Sequence, residues 1–136
     1  MGEQTASAVF VPVHRPANGP ARLGFVWRSP DSTTHAGLVG FPGGKVEPED
    51  DDLRETARRE TIEETALDPA NFSIDARIDD HHTRSTGFAV APFVGTVHRP
   101  SQLVPDSREV TDSFWATVPE LRAVYEMDGD RVRYRP

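Results

Sequence analysis

The sequence predicts a mixed α/β domain, with at least five strands around one principal helix. Two observations carry this expectation. Apolar runs of strand length, such as residues 8–13 and 88–97, alternate with polar segments rich in Pro and Gly. Only residues 53–65 read as a long helix, with Leu53, Ala57 and Thr61 on the buried side. A length of 136 residues suits one domain over 1–136 with its own core.

Residues 8–13 (Ala-Val-Phe-Val-Pro-Val) read as a buried strand, and Pro12 suggests an edge or a bulge because it has no N–H to donate. Residues 23–27 are expected to pair with it across the loop at 16–20, and residues 29–34 are polar and loop-like. Residues 38–41 form a short apolar run that ends at a Pro42-Gly43-Gly44 turn. The acidic stretch 47–52 offers aspartates as helix N-caps, and Asp68-Pro69 is expected to stop the helix. Residues 72–78 alternate as a half-buried strand should, 79–86 read as a polar loop, and 88–97 are the strongest strand candidate. After a loop at 99–109, a strand at 110–116, a short helix opened by Pro119 and a final strand at 131–135 complete the prediction. No repeat or low-complexity segment is present.

Composition excludes several functions. Hydrophobic residues make up 36% of the chain, which points to a small core concentrated in a few strands. A net charge of −7 argues against non-specific nucleic-acid binding. With no cysteine, the chain has no disulfide, thiolate metal site or cysteine nucleophile. No apolar run approaches the roughly 18 residues that a membrane-spanning helix needs. The first seven residues carry no signal-peptide core. A soluble cytoplasmic protein, bound to neither membrane nor nucleic acid, is the expectation.

The most informative residues are Glu60, Glu63 and Glu64, in the run Arg59-Glu60-Thr61-Ile62-Glu63-Glu64. Spacings of three and four put the three carboxylates on one helix face, where like charges repel. A hard divalent cation such as Mg²⁺ removes that conflict. The preceding Phe41-Pro42-Gly43-Gly44 lets backbone approach a metal or a phosphate, which points to hydrolysis of a polyphosphate. The competing reading is a solvated helix with i,i+4 pairs such as Arg59–Glu63, each worth a few tenths of a kcal/mol.

Gly44, Asp50, Arg59, Glu60, Glu63, Glu64 and Leu67 together resemble the Nudix box, G-x5-E-x7-R-E-U-x-E-E-x-G-U, where U is aliphatic. The R-E-x-x-E-E core is intact. The box is one residue longer between Gly44 and Arg59, Asp50 or Asp51 stands for its first glutamate, and Ala66 for its last glycine. A left-handed C-cap at Ala66 would cost about 1 kcal/mol relative to glycine. The resemblance implies a Nudix-like α/β/α sandwich with a mixed sheet and one catalytic helix. It further implies Mg²⁺-dependent (or Mn²⁺-dependent) hydrolysis of a P–O–P bond in a nucleoside diphosphate-linked small molecule. By this analogy Glu60 and Glu64 are the main metal ligands, Glu63 shares a metal or positions water, Arg59 orients a neighbouring glutamate, and the Gly44 carbonyl completes the metal shell. Glu109 is either a further ligand or general base, or a solvated loop carboxylate.

The longer box is similar to that of coenzyme A pyrophosphatases, as are Arg28-Ser29, Gly37, Phe41 to Gly44, residues 87–95, Glu109-Val110 and Val118-Pro119. Coenzyme A is therefore the leading substrate. ADP-ribose, dinucleotides and nucleoside triphosphates are alternatives, as is a catalytically silent nucleotide-binding module. That branch typically has an arginine where Thr33 stands and a final helix beyond the position of Pro136. Either that helix is dispensable here or a partner chain covers the exposed face, and dimers are common in the family, so a homodimer is among the expected assemblies. His35 matches a common family histidine, and with Gly43 and Gly44 it is a candidate binding residue. Arg28 reads as a phosphate contact or a surface residue. His81 and His82 read as exposed loop residues, with phosphate contact as the rival. Trp27, Phe88, Phe93 and Trp115 read as core aromatics, with adenine stacking as the rival. Arg131, Arg133 and Arg135 read as an edge guard or a subunit contact.

Overall fold

The computed structural model describes residues 5–30, 37, 39–79, 81–82, 88–100, 110–128 and 131–134. Strand β1 (Thr5–His14) is the axis of the fold. Around it lie β2 (Arg22–Arg28), β3 (Val39–Gly40), β4 (Gly43–Lys45), β5 (Phe72–Arg77), β6 (His81–His82), β7 (Phe88–Val97) and β8 (Val110–Thr117). These eight strands form one sheet, with β3-β2-β1-β7-β5 as its main path. The sheet is mixed, because β1 runs parallel to β7, from Thr5 opposite Phe88 to Val13 opposite Thr96, while its other pairings are antiparallel.

Helix α1 (Leu53–Thr65) lies across β1 and β4, and a 3₁₀ turn at Pro69–Asn71 follows it. Helix α2 (Val118–Val124) leads into a separate hairpin of β9 (Tyr125–Asp128) and β10 (Arg131–Tyr134). The core under α1 is built from alternating inward residues of the strands. Ala8, Phe10, Val26 and Val97 are fully buried, and the rings of Phe10 and Phe72 lie 5.3 Å apart. Among the described residues, no helix is long and apolar enough to cross a membrane.

Helix α1 begins where its cap chemistry dictates. The Asp52 carboxylate accepts the Glu55 N–H at 2.8 Å, a cap typically worth about 1 kcal/mol. The helix ends at Ala66, whose backbone is left-handed (φ 54°, ψ 23°) and whose N–H reaches the Ile62 carbonyl at 3.0 Å. Asp68-Pro69 opens the 3₁₀ turn instead of stopping α1. The buried face is polar for a core helix: Ala57, Thr56, Thr61, Glu64 and Thr65 are buried, and Leu53 packs at the margin. Thr61 and Thr65 donate their hydroxyls to the carbonyls one turn back, at 2.7 and 2.6 Å, which satisfies them without an outside partner.

Several expectations are corrected. Pro12 lies in the central strand, where β1 changes partner from β4 (last registered at Val9) to β2 (first registered at Val13). Gly43 and Gly44 are not only a turn, since they pair with Val9 and Ala8. His81 and His82 pair with Val90 and Ala89, so that part of the expected polar loop is a short strand. The β9 strand was not anticipated. Residues 101–109 of the expected 99–109 loop, with Glu109, lie outside the described residues, as do His35, Thr33, Arg135 and the side chains of His81, His82, Phe88, Arg131 and Arg133.

Candidate active site

Two strands and one helix converge on Glu64. Period-2 alternation along β2 turns Gly24, Val26 and Arg28 toward the buried side. Arg28, the last residue of β2, is only 8% exposed. Its guanidinium donates to Glu64 Oε2 at 2.9 Å, to the Phe41 carbonyl at 3.3 Å and to the Gly43 carbonyl at 3.2 Å. The Gly43 N–H donates to Glu64 Oε1 at 3.2 Å, which closes the circuit. Arg28 is therefore not a surface residue, and its guanidinium donates inward to Glu64 and two backbone carbonyls.

Close approach to backbone requires glycine at position 43, and Gly44 lies against the carboxylate end of a side chain. A Cβ at Gly43 would collide with the Ala8 carbonyl, and one at Gly44 would sit 2.7 Å from the Glu60 carboxyl carbon. Glycine thus sets how near the backbone comes to the Glu60 carboxylate.

A second arginine organises the outer side of the helix. Arg59 grips Asp50 with two parallel bonds, Nε to Oδ1 at 2.8 Å and Nη2 to Oδ2 at 2.9 Å. It also donates to Glu60 Oε1 at 2.8 Å, to Glu63 Oε2 at 3.2 Å and to the Lys45 carbonyl at 3.2 Å. Asp50 accepts in addition from the Glu47 N–H and the Thr56 hydroxyl, both at 2.9 Å. Of the two aspartates open from the sequence, Asp50 and not Asp51 makes this contact.

The electrostatics follow from burial. Burial pushes the Glu64 carboxyl from 4.5 up to about 8, with Arg28 pulling it down and Glu60 adding to the rise. Burial also raises Glu60, against the pull of Arg59. Glu64 nonetheless accepts from two donors, the Arg28 guanidinium and the Gly43 N–H, the pattern that suits an ionised carboxylate. Asp50 is held far below the usual carboxylate range, chiefly by its bonds to Arg59.

The donor set tests whether a metal fits. Among the described residues, no three acidic or histidine groups are gathered as a ready cation cage. Glu60 and Glu64 nevertheless stand one turn apart with both carboxyls raised, and the Gly44 backbone comes close to the Glu60 carboxylate. Hard oxygen ligands whose charges conflict suit Mg²⁺ or Mn²⁺. Glu63, with 56% of its side chain exposed, is the outermost of the three.

The aromatic candidates separate cleanly. Phe93 is core, Trp115 packs at its margin, and Trp27 is 47% exposed with its indole N–H on the Gly37 carbonyl at 3.2 Å. Phe41, Phe25 and Phe114 form a stacked ladder with ring centroids 4.9 and 5.2 Å apart, an arrangement that sequence reading missed. Its signal lay only in strand register, which places Phe25 opposite Phe114.

A model of the NUDIX domain matches residues 4–135. The chain is 33% identical over 136 residues to the Nudix hydrolase NudL of Pectobacterium atrosepticum, covering 98% of this chain and 69% of that protein. It is 41% identical over 80 residues to NudL of Yersinia enterocolitica, covering 59% of this chain and 37% of the relative. The chain thus spans about two thirds of the first relative's length and little more than a third of the second's. Among solved structures, the Nudix hydrolase RenU from M. smegmatis superposes with a TM-score of 0.71 at 14% identity, covering 90% of this chain and 76% of that one. The NUDIX domain of Shewanella oneidensis NrtR complexed with ADP-ribose gives 0.63 at 19% identity, covering 90% and 79%. These two likenesses concern the fold, while the domain match spans nearly the whole chain and includes the carboxylate helix; the chain belongs to the Nudix hydrolase family.

Proposed function

We propose that this chain, folded as one domain, hydrolyses the P–O–P bond of a nucleoside diphosphate derivative with a divalent cation, and that coenzyme A is its leading substrate. The observation that carries this reading is the pairing of Glu60 and Glu64 against a glycine backbone, with Glu64 fixed between Arg28 and the Gly43 N–H. Glu60, Glu63, Glu64 and the Gly44 carbonyl would hold Mg²⁺ or Mn²⁺. The bound ion would neutralise phosphoryl oxygens and acidify water. The chain's own groups do the rest. Arg59, braced by Asp50, sets Glu60 and Glu63 relative to one another. Glu63, on the wet side, has room to position water or accept its proton. Glu109 and His35 remain part of the proposal as a further carboxylate and a substrate contact. Arg28 is recast from a phosphate contact to the residue that holds Glu64.

ADP-ribose is the sibling substrate, supported by the likeness to an ADP-ribose-bound Nudix domain. A cytoplasmic location and a homodimer belong to the same reading. The test is incubation with Mg²⁺ and a panel of coenzyme A, ADP-ribose, dinucleotides and nucleoside triphosphates, with products identified by mass spectrometry. Release of 3′,5′-ADP from coenzyme A supports the leading substrate. Absence of turnover on the whole panel at neutral and alkaline pH overturns the enzyme reading. Glu64→Gln should lose most of the activity while remaining folded.

A further inference from the structure

Arg28 presents an arrangement that a phosphate-binding arginine would not need. It lies beneath the site, and its guanidinium faces three oxygens from two other segments: Glu64 of α1 and the carbonyls of Phe41 and Gly43. Glu64 is 4% exposed, with one oxygen on Arg28 and the other on the Gly43 N–H. A buried carboxylate without a partner is strongly disfavoured. Without Arg28, Glu64 would keep only a single neutral donor, and two carbonyl dipoles would face its charge.

We infer that Arg28 is the built-in counter-ion of Glu64, a positioning residue that aims this carboxylate before a divalent cation arrives. The inference rests on the proposed metal site at Glu64. It has a direct consequence: the guanidinium and the divalent cation neutralise the same charge. Removing Arg28 should therefore make the protein more dependent on the cation. A residue that merely packed the strand end would leave the response to cation unchanged, and one that bound substrate phosphate would leave it unchanged until substrate was added.

The experiment is thermal unfolding of the whole chain with and without saturating Mg²⁺, in the absence of substrate, for wild type, Arg28→Met, Arg28→Lys and Glu64→Gln. Met keeps the aliphatic stem and removes the charge; Lys keeps the charge and removes the fork. Mg²⁺ should raise the melting temperature of Arg28→Met by about 3–6 °C more than that of wild type. The rise for Arg28→Lys should stay near wild type. A rise for Arg28→Met that is equal to or smaller than wild type, while Glu64→Gln has lost the wild-type response, overturns the counter-ion role and leaves the metal site standing. A wild-type response that survives in Glu64→Gln overturns the metal assignment on which the inference rests, and the inference with it. If Arg28→Met does not fold alone, recovery of its folded signal by Mg²⁺ supports the inference, and no recovery overturns it.

Discussion

The two arginines of the site serve neighbouring glutamates in opposite ways. Arg28 is 8% exposed and commits its fork to one carboxylate and two carbonyls. Arg59 leaves a quarter of its side chain in water and shares itself among three carboxylates, Asp50, Glu60 and Glu63. The buried pair cannot exchange partners without stranding a charge, so it fixes geometry. The outer cluster can lose one contact and keep the others, so it sets relative positions and tolerates change. One carboxylate is thereby held at both oxygens while its neighbours share a donor, a division that would suit the proposed binding of a cation and a polyphosphate.

Breaking the inner pair should have the largest effect. Above pH 8, where Glu64 is ionised, and in the absence of divalent cation, Arg28→Met should lose about 3–5 kcal/mol of unfolding free energy, the usual consequence of stranding one partner of a buried ion pair. Urea unfolding measures this, and a loss below about 1 kcal/mol would show that water already reaches Glu64. Cutting the outer cluster at its brace should cost less. Asp50→Asn should lose about 1–3 kcal/mol, because Arg59 keeps its bonds to Glu60 and Glu63. Its kcat should fall further than its KM rises, since the change acts through Arg59 and not on substrate; the reverse pattern would place Asp50 in the binding surface.

Acidity sharpens the contrast, because the two clusters titrate with opposite sign. The Glu64 carboxyl is raised from 4.5 to about 8, so it adds stability below pH 4.5 and that contribution fades as pH climbs toward 8. Asp50 is depressed, so its contribution is present above the ordinary aspartate range and is lost only in acid. Denaturation midpoints of the cation-free protein should therefore decline between pH 5 and 8, with a flatter profile in Glu64→Gln. Identical profiles would mean that Glu64 does not carry this decline. The smallest effect lies at the end of α1. Ala66→Gly should gain about 0.5–1 kcal/mol by relieving the left-handed backbone at φ 54°, visible as a small rise in melting temperature without a change in turnover.

The helix, its caps and its local ion pair were readable from the sequence because every signal was local. The 53–65 span, the aspartate cap, the left-handed Ala66 and the Arg59–Glu63 pair all depend on residues within one or two turns of each other. What escaped depends on contacts between elements. Nothing within β2 says that Arg28 faces Glu64, 36 positions away, because alternation gives a face but not a partner. The Gly43-Gly44 pair looked like a turn, and its strand pairing appears only when β1 lies beside it. Short strands such as β6 and β9 have too few residues to show a period.

The change of partner along β1 has one last consequence. The even-numbered residues of this strand address the β4 side, as the Phe10 N–H on the Pro42 carbonyl and the Ala6 carbonyl under the Val46 N–H show. Pro12 has the same parity and falls after the last β4 pairing and before the first β2 pairing, at a fully buried position. Continuing the β1–β2 register places Gly24 opposite Pro12, and a Cβ at Gly24 would lie 3.3 Å from the Pro12 Cβ, so proline leaves this rung of the ladder without its N–H donor. The missing donor marks the point where β1 leaves β4 and takes up β2, so the fork that sets the glycine backbone beside the carboxylate helix is written into one residue of the central strand.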